Sequence, residues 1–176
     1  MSANATASAD ALADSAARVR LLVLDVDGVL TDGRLYYGAR GEALKVFHVR
    51  DGLGLKLLAE AGIIVAVISG RRCSMNRTRC RELGIKHLLQ GVADKLAAFQ
   101  RLRVRLGVSP GMCACVGDDV TDVALMREVG LSFAVADAHP QARGTAQVVT
   151  QLPGGGGAVR EICDFLLEAR RRAGAA

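Results

Sequence analysis

The sequence predicts an α/β fold built on a doubly wound, Rossmann-like parallel sheet, and three observations carry that prediction. Short apolar runs recur at Leu21–Leu24, Ile63–Ile68 and Met112–Val116. Each has the length and continuity of a strand buried on both faces of a parallel sheet. Stretches with apolar residues at helical spacing separate the runs, and strands alternating with helices wind right-handed around one sheet. Hydrophobic residues make up 51% of the chain and aromatics only 3%, so the core is aliphatic.

Taken in order, residues 1–17 are rich in Ala, Ser and Asp and are expected to be a poorly ordered tail. Residues 18–172 are expected to form a single domain. The first strand, Leu21–Leu24, runs into Asp-Val-Asp-Gly. Residues 33–49 break the alternation and read as an inserted β-hairpin: Arg34–Tyr37, a turn over 38–41, then Ala43–Val49. A helix follows over 53–61, with Asp51 as its candidate cap. The second strand, Ile63–Ile68, ends in Ser-Gly-Arg. Amphipathic helices are predicted over 72–83 and 94–106. The third strand, Met112–Val116, ends in Gly-Asp-Asp, and a helix is predicted over 121–129. Phe133–Ala136 and Val148–Thr150 are shorter strands. A closing helix over 159–169 places Val159, Ile162, Cys163 and Leu166 on one face.

Composition excludes several classes. The longest apolar runs fall far short of the ~18 residues of a membrane span. No basic segment leads into an apolar stretch near the N-terminus, unlike a secretory signal, so the expected location is the cytoplasm. The five cysteines include no CxxC pair, which argues against a disulfide framework or a zinc site. The net charge is +5, but four Phe, two Tyr and no Trp leave no stacking platform for nucleic acid. Most basic residues fall at solvated helix positions; a minority suit an anionic substrate.

Polar residues gather where apolar runs stop. Asp25, Asp27, Ser69 and Asp118 all follow predicted strands, and open α/β sheets bind ligands at the carboxyl ends of their strands. One Asp at a strand end is ordinarily a turn or cap residue; the same chemistry at three strand ends is not explained that way. Gly28 permits a tight turn after the Asp pair. Clustered carboxylates, Asp118-Asp119 included, repel one another and bind hard cations through oxygen, which suits magnesium.

These residues resemble the haloacid dehalogenase superfamily. Asp25-Val-Asp27-Gly-Val-Leu-Thr31 is similar to its first motif, Ser69 to its second, Lys95 to its third and Gly117-Asp118-Asp119-Val-Thr-Asp122 to its fourth, in the family's order. The resemblance implies that Asp25 is the nucleophile, forming an aspartyl-phosphate, and that Asp27 is the general acid and then base. It implies Mg2+ held by Asp25, Asp27 (through its carbonyl) and Asp118. Ser69 and Lys95 would hold phosphoryl oxygens, with Asp119 and Asp122 supporting water, metal or Lys95 from behind.

A closer similarity runs through Asp27–Arg34, Val49–Gly54, Val135–Pro140 and Leu152–Glu161, and resembles the 3-deoxy-D-manno-octulosonate 8-phosphate phosphatase family of lipopolysaccharide precursor synthesis. Ser69 stands where that family often has Thr, and Gly156 where Arg is expected. The resemblance implies a sugar phosphate substrate contacted by Asp27, His48, Val49, Arg50, Asp51, Gly52, Lys56, Arg71, Arg79 and Lys95. Arg can grip a phosphate or carboxylate bidentately. The alternatives are a phosphatase for a nine-carbon acid sugar phosphate and a non-catalytic assembly domain. The interval from Asp27 to Gly70 already holds a hairpin, a helix and a strand, which leaves no cap domain. The hairpin could then pair with copies of itself in a closed ring with no free edge, and the resemblance implies a homotetramer built in that way. The Gly154–Gly157 stretch is expected to be flexible enough to move.

Overall fold

The first apolar run becomes the centre of the molecule. The structure, a computed structural model, describes residues 3–174, with side chains from residue 10 onward. Strand β1 (Leu21–Leu24) has all four residues buried. It lies between β4 (Ile64–Ser69) and β6 (Cys113–Gly117), parallel to both. Outward from these lie β5 (His87–Gln90) on one side, and β7 (Leu131–Ala134) and β8 (Val148–Val149) on the other. The six-stranded parallel sheet has the order β5-β4-β1-β6-β7-β8. Chain order reverses direction at β1, so the crevice for a ligand opens above its carboxyl end. Leu24 pairs with Val67 and with Val116. That register brings Asp25, Ser69 and Asp118 out of the sheet within two residues of one rung.

The inserted hairpin forms a separate two-stranded antiparallel sheet, β2 (Tyr36–Gly38) with β3 (Gly41–Leu44). Helix α2 (Val49–Glu60) follows, and α3 (Ser74–Glu82) and α4 (Lys95–Leu106) flank the next crossovers. Asp94 caps α4 by accepting from the Ala97 amide at 2.9 Å, which fixes Lys95 as that helix's first residue. The predicted helix over 121–129 shortens to α5 (Val123–Met126), because the preceding Asp118–Asp122 turn is held by its own hydrogen bonds. A short helix absent from the sequence reading, α6 (Pro140–Thr145), begins at Pro140, whose ring suits a first helical turn.

Two expectations about the ends of the chain are corrected. Residues 3–17 form helix α1 (Ala3–Ala17) rather than a loose tail. Alanine is the best helix former, and Ala16 is buried while Leu12 and Ala17 pack against the core. Helix α7 (Ala158–Gly174) buries Val159, Ile162, Cys163 and Leu166 as predicted and packs on both α1 and α2. The preceding Gly154–Gly157 stretch, expected to be flexible, is tied down at its first two residues. The Gly154 amide donates to Asp137 Oδ1 at 2.9 Å and the Gly155 amide to the Val29 carbonyl at 3.0 Å. A β-carbon on Gly154 would lie 1.7 Å from the Gly28 carbonyl oxygen.

Asp51 is corrected as well. Helix α2 starts two residues before it, at Val49, and His48 in the cap position makes no side-chain cap bond. Asp51 is 1% exposed, and its Oδ1 accepts from the Arg160 amide at 2.8 Å. It therefore caps α7, whose own glycine-rich lead-in offers no side chain for that purpose. Burial raises the Asp51 pKa, while the Arg160 amide lowers it. Asp51→Ala leaves a helix end without its acceptor and is expected to lower unfolding stability by about 1–3 kcal/mol, read from urea denaturation. No loss of stability would mean that water caps α7 equally well.

Candidate active site

Four loops converge above the carboxyl end of β1. Asp25 leaves β1 directly, with its backbone amide donating to the Val116 carbonyl at 3.3 Å. Its Oδ1 accepts from the Val26 amide at 2.7 Å, and its Oδ2 from Lys95 Nζ at 2.7 Å. The same ammonium donates to Asp122 Oδ1 at 2.7 Å. Lys95 is 7% exposed. Burial alone would lower its pKa, but Asp25 and Asp122 outweigh that and raise it, so it is a fixed cation. The other oxygen of Asp122 accepts from the amides of Asp118 and Asp119, at 3.2 and 3.4 Å. Asp122 thus ties the fourth motif to Lys95 and has no oxygen left over.

Oxygens of Asp25, Asp118 and Asp122 lie within 4.8 Å of one another, a grouping able to hold a metal ion. Asp25 and Asp122 already accept hydrogen bonds on both oxygens, so Asp118 is the member of the three with an oxygen to spare for a cation. Asp118 Oδ1 is buried and has no hydrogen-bond partner among the described residues. Burial, then Asp25 and Asp122, push the Asp118 pKa up to about 7, against the pull of Lys95. Burial pushes Asp25 up to about 6; Lys95 opposes the rise and Asp122 adds to it. An orphaned carboxylate oxygen beside a second carboxylate fits a hard divalent cation. Gly28, at φ +88°, makes the approach possible, since a β-carbon there would sit 2.1 Å from Asp118 Oδ2.

The Asp27 side chain points elsewhere. Lys45, at the end of the hairpin, donates to Asp27 Oδ1. Arg71 Nε lies 3.7 Å from Asp27 Oδ2. The Asp27 carboxylate is therefore not among the clustered oxygens. Ser69 is buried at the end of β4 and accepts from the Arg71 amide at 3.3 Å.

Asp25, Asp27, Ser69, Arg71, Lys95, Asp118 and Asp119 line one cavity of about 230 Å3. The remaining expected substrate contacts do not reach it within this chain. Val49 is 81% exposed, and Arg50 and Lys56 are also exposed, on α2. Arg79 lies over the Phe47 ring at 5.7 Å, donates to the His48 carbonyl at 3.5 Å, and fills the space beside Gly52. Sequence reasoning missed Lys45 and Glu42, because a Lys and a Glu in a hairpin read as solvated. Their one signal was placement in the inserted segment closest to the strand-end aspartates. A larger cavity of about 630 Å3 lies against α3 and β5, lined by Arg72, Arg77 and Arg81. It contains none of the motif residues.

Comparison with known proteins adds a family to this geometry. Residues 85–162 match the model of the haloacid dehalogenase-like hydrolases. The chain is 52% identical over 163 residues to the 3-deoxy-D-manno-octulosonate 8-phosphate phosphatase KdsC of Escherichia coli K12, covering 93% of this chain and 86% of that one. It belongs to the haloacid dehalogenase-like 3-deoxy-D-manno-octulosonate 8-phosphate phosphatase family. The Yersinia pestis enzyme of this family has a crystal structure that superposes with a TM-score of 0.90 at 48% identity, over 95% of this chain and 90% of that one. The Moraxella catarrhalis enzyme, solved in complex with a magnesium ion, a phosphate ion and a KDO molecule, superposes with a TM-score of 0.89 at 41% identity, over 93% and 94%.

The crowded carboxylates predict a pH signature for the metal-free protein. Asp118 keeps its proton in the folded chain up to about 7, but its ordinary value is 3.8. Between those values the unfolded chain binds fewer protons than the folded one. Metal-free stability from this group therefore falls as pH rises from about 4 to about 7. In Asp118→Asn that fall is reduced. Thermal unfolding of chelated wild type and variant across this window checks it, and equal slopes would count against the repulsion.

Proposed function

We propose that this chain hydrolyses 3-deoxy-D-manno-octulosonate 8-phosphate to the free sugar acid and inorganic phosphate, with magnesium as its metal. The observation that carries this reading is the lysine-clamped Asp25 facing the orphaned oxygen of Asp118, in a chain 52% identical to a phosphatase of that name. Asp25, Asp118 and the Asp27 carbonyl would hold the ion, which when bound neutralises charge on the phosphoryl oxygens.

In the first step an Asp25 oxygen bonds to phosphorus and the bond from phosphorus to the sugar oxygen breaks. Asp27 gives its proton to that leaving oxygen. In the second, water attacks the aspartyl-phosphate, Asp27 takes the proton, and Asp25 is regenerated with release of phosphate. Lys95 holds Asp25 in position and, with the Ser69 hydroxyl, meets the charge spread over the phosphoryl oxygens. Arg71, lining the same cavity, grips an anionic group of the substrate.

We further infer a homotetramer that works in the cytoplasm and completes each site with a neighbour's residues. Among the described residues no further strand pairs with the outer edges of the two-stranded sheet. Tyr37, Leu44, Val46, Val49 and Leu53 expose an apolar surface along the hairpin and the start of α2, beside the expected contacts His48, Arg50 and Lys56 that do not reach their own cavity. Among the described residues no helix is long and apolar enough to cross a membrane.

Phosphate release over a panel of sugar phosphates, with and without magnesium, tests the activity. The octulosonate ester is expected to be turned over fastest, and chelation to abolish turnover; full activity after exhaustive chelation would exclude the metal role. Asp25→Asn is expected to fold and to lose turnover by several orders of magnitude, about as for other catalytic nucleophiles. Light scattering at micromolar concentration tests assembly, and a fully active monomer would refute shared sites.

A further inference from the structure

Four alternating charges close a ring, and two of them, Asp27 and Arg71, line the cavity. Lys45 Nζ donates to Asp27 Oδ1 and lies 3.5 Å from Glu42 Oε1. Arg71 Nη2 donates to Glu42 Oε2 at 3.0 Å, and Arg71 Nε lies 3.7 Å from Asp27 Oδ2. Two members, Glu42 and Lys45, come from the hairpin. The other two belong to the strand ends below. The Lys45 side chain is only 1% exposed.

A cation withdrawn from water to this degree is stable only if its partners hold it closely, and removing one partner leaves the others uncompensated. The ring therefore restricts the Asp27 carboxylate to one orientation: Lys45 bonds Oδ1, while Oδ2 faces the Arg71 guanidinium at 3.7 Å, beyond hydrogen-bond distance, and stays open to carry a proton. No other hydrogen bond to that carboxylate is found among the described residues. Without the hairpin, the Asp27 side chain would lose the one hydrogen bond that fixes it.

We propose that Lys45, supported by Glu42, is a positioning residue that aims the Asp27 carboxylate at the leaving oxygen of the substrate. The inference rests on the phosphatase reading above. It makes the hairpin part of the proton-transfer apparatus, and it explains why a buried lysine stands in a segment whose other face is apolar and exposed. Lys45 does not touch the reacting atoms; it acts through Asp27.

A positioning role has a signature that a merely structural one lacks. Cleavage of a sugar ester needs a proton on the departing alkoxide. Cleavage of an aryl phosphate releases a stable phenolate and needs none. In both cases the later attack of water needs Asp27 as base.

The test uses full-length Lys45→Met with magnesium, on octulosonate 8-phosphate and on p-nitrophenyl phosphate. For the sugar ester, kcat/KM is expected to fall about 100-fold or more. For the aryl ester, kcat/KM reports only phosphoryl transfer and is expected to fall by less than about fivefold. A burst of p-nitrophenolate should then appear, because the aspartyl-phosphate accumulates when its hydrolysis slows. Glu42→Gln should show the same pattern in milder form and guards against a folding failure of the first variant.

Equal losses of kcat/KM on both esters, without a burst, would overturn the proposal in favour of a structural role. A raised KM for the sugar ester with kcat intact would also overturn it, since Lys45 would then be holding substrate. If wild type releases phosphate from neither ester, the phosphatase reading itself falls, and the inference with it. If wild type is active and only the leaving-group dependence is missing, the inference alone falls.

Discussion

The architecture above the sheet depends on keeping several carboxylates together at one edge without letting them push the loops apart. Asp25, Asp118 and Asp122 meet within hydrogen-bonding range of a common point, and like charges at that distance repel strongly where water is scarce. Lys95 answers part of that repulsion by bonding Asp25 and Asp122 at once. Asp122 answers another part by spending its second oxygen on two backbone amides. What remains is concentrated on Asp118, and that remainder is the attraction for a cation. A site fully neutralised by its own side chains would have no use for one.

A second balance of charge sits beside the first. Asp27, Lys45, Glu42 and Arg71 close on themselves with two charges of each sign. One cluster is left short of positive charge and the other is complete. This division gives two neighbouring aspartates, on one short loop, different surroundings and different work: Asp25 faces a lysine and an open carboxylate cluster, whereas Asp27 is held from outside by the hairpin.

Much of this was legible in the sequence because the sheet is parallel and buried. Continuous apolar runs marked β1, β4 and β6, and their ends marked Asp25, Ser69 and Asp118. Lys95 was legible only through its resemblance to a motif; by itself it is a lysine at the start of a helix. Contacts between distant segments were not legible. Asp51 looked like the cap of its own helix and serves α7 instead, because capping depends on where a helix end arrives in space. Lys45 and Glu42 carried no local signal, since burial of a charge is decided by what folds over it. The helix over residues 3–17 was missed because an alanine-rich composition was read as disorder when its few apolar residues had a partner in α7.

The contact between Gly154 and the Gly28 carbonyl has an evolutionary side. Backbone rests on backbone there, with no side chain between, and on the opposite side Gly28 leaves room for Asp118. The loop that presents the nucleophile is thus gripped by two segments far away in the chain, each touching it where a methyl group would not fit. Neither glycine can drift alone, and no compensating change in a side chain can make room, because the obstacle is main chain. In a randomised library selected for a folded, active product, these positions should return glycine as stubbornly as the aspartates return aspartate, though neither glycine takes part in any bond that is made or broken.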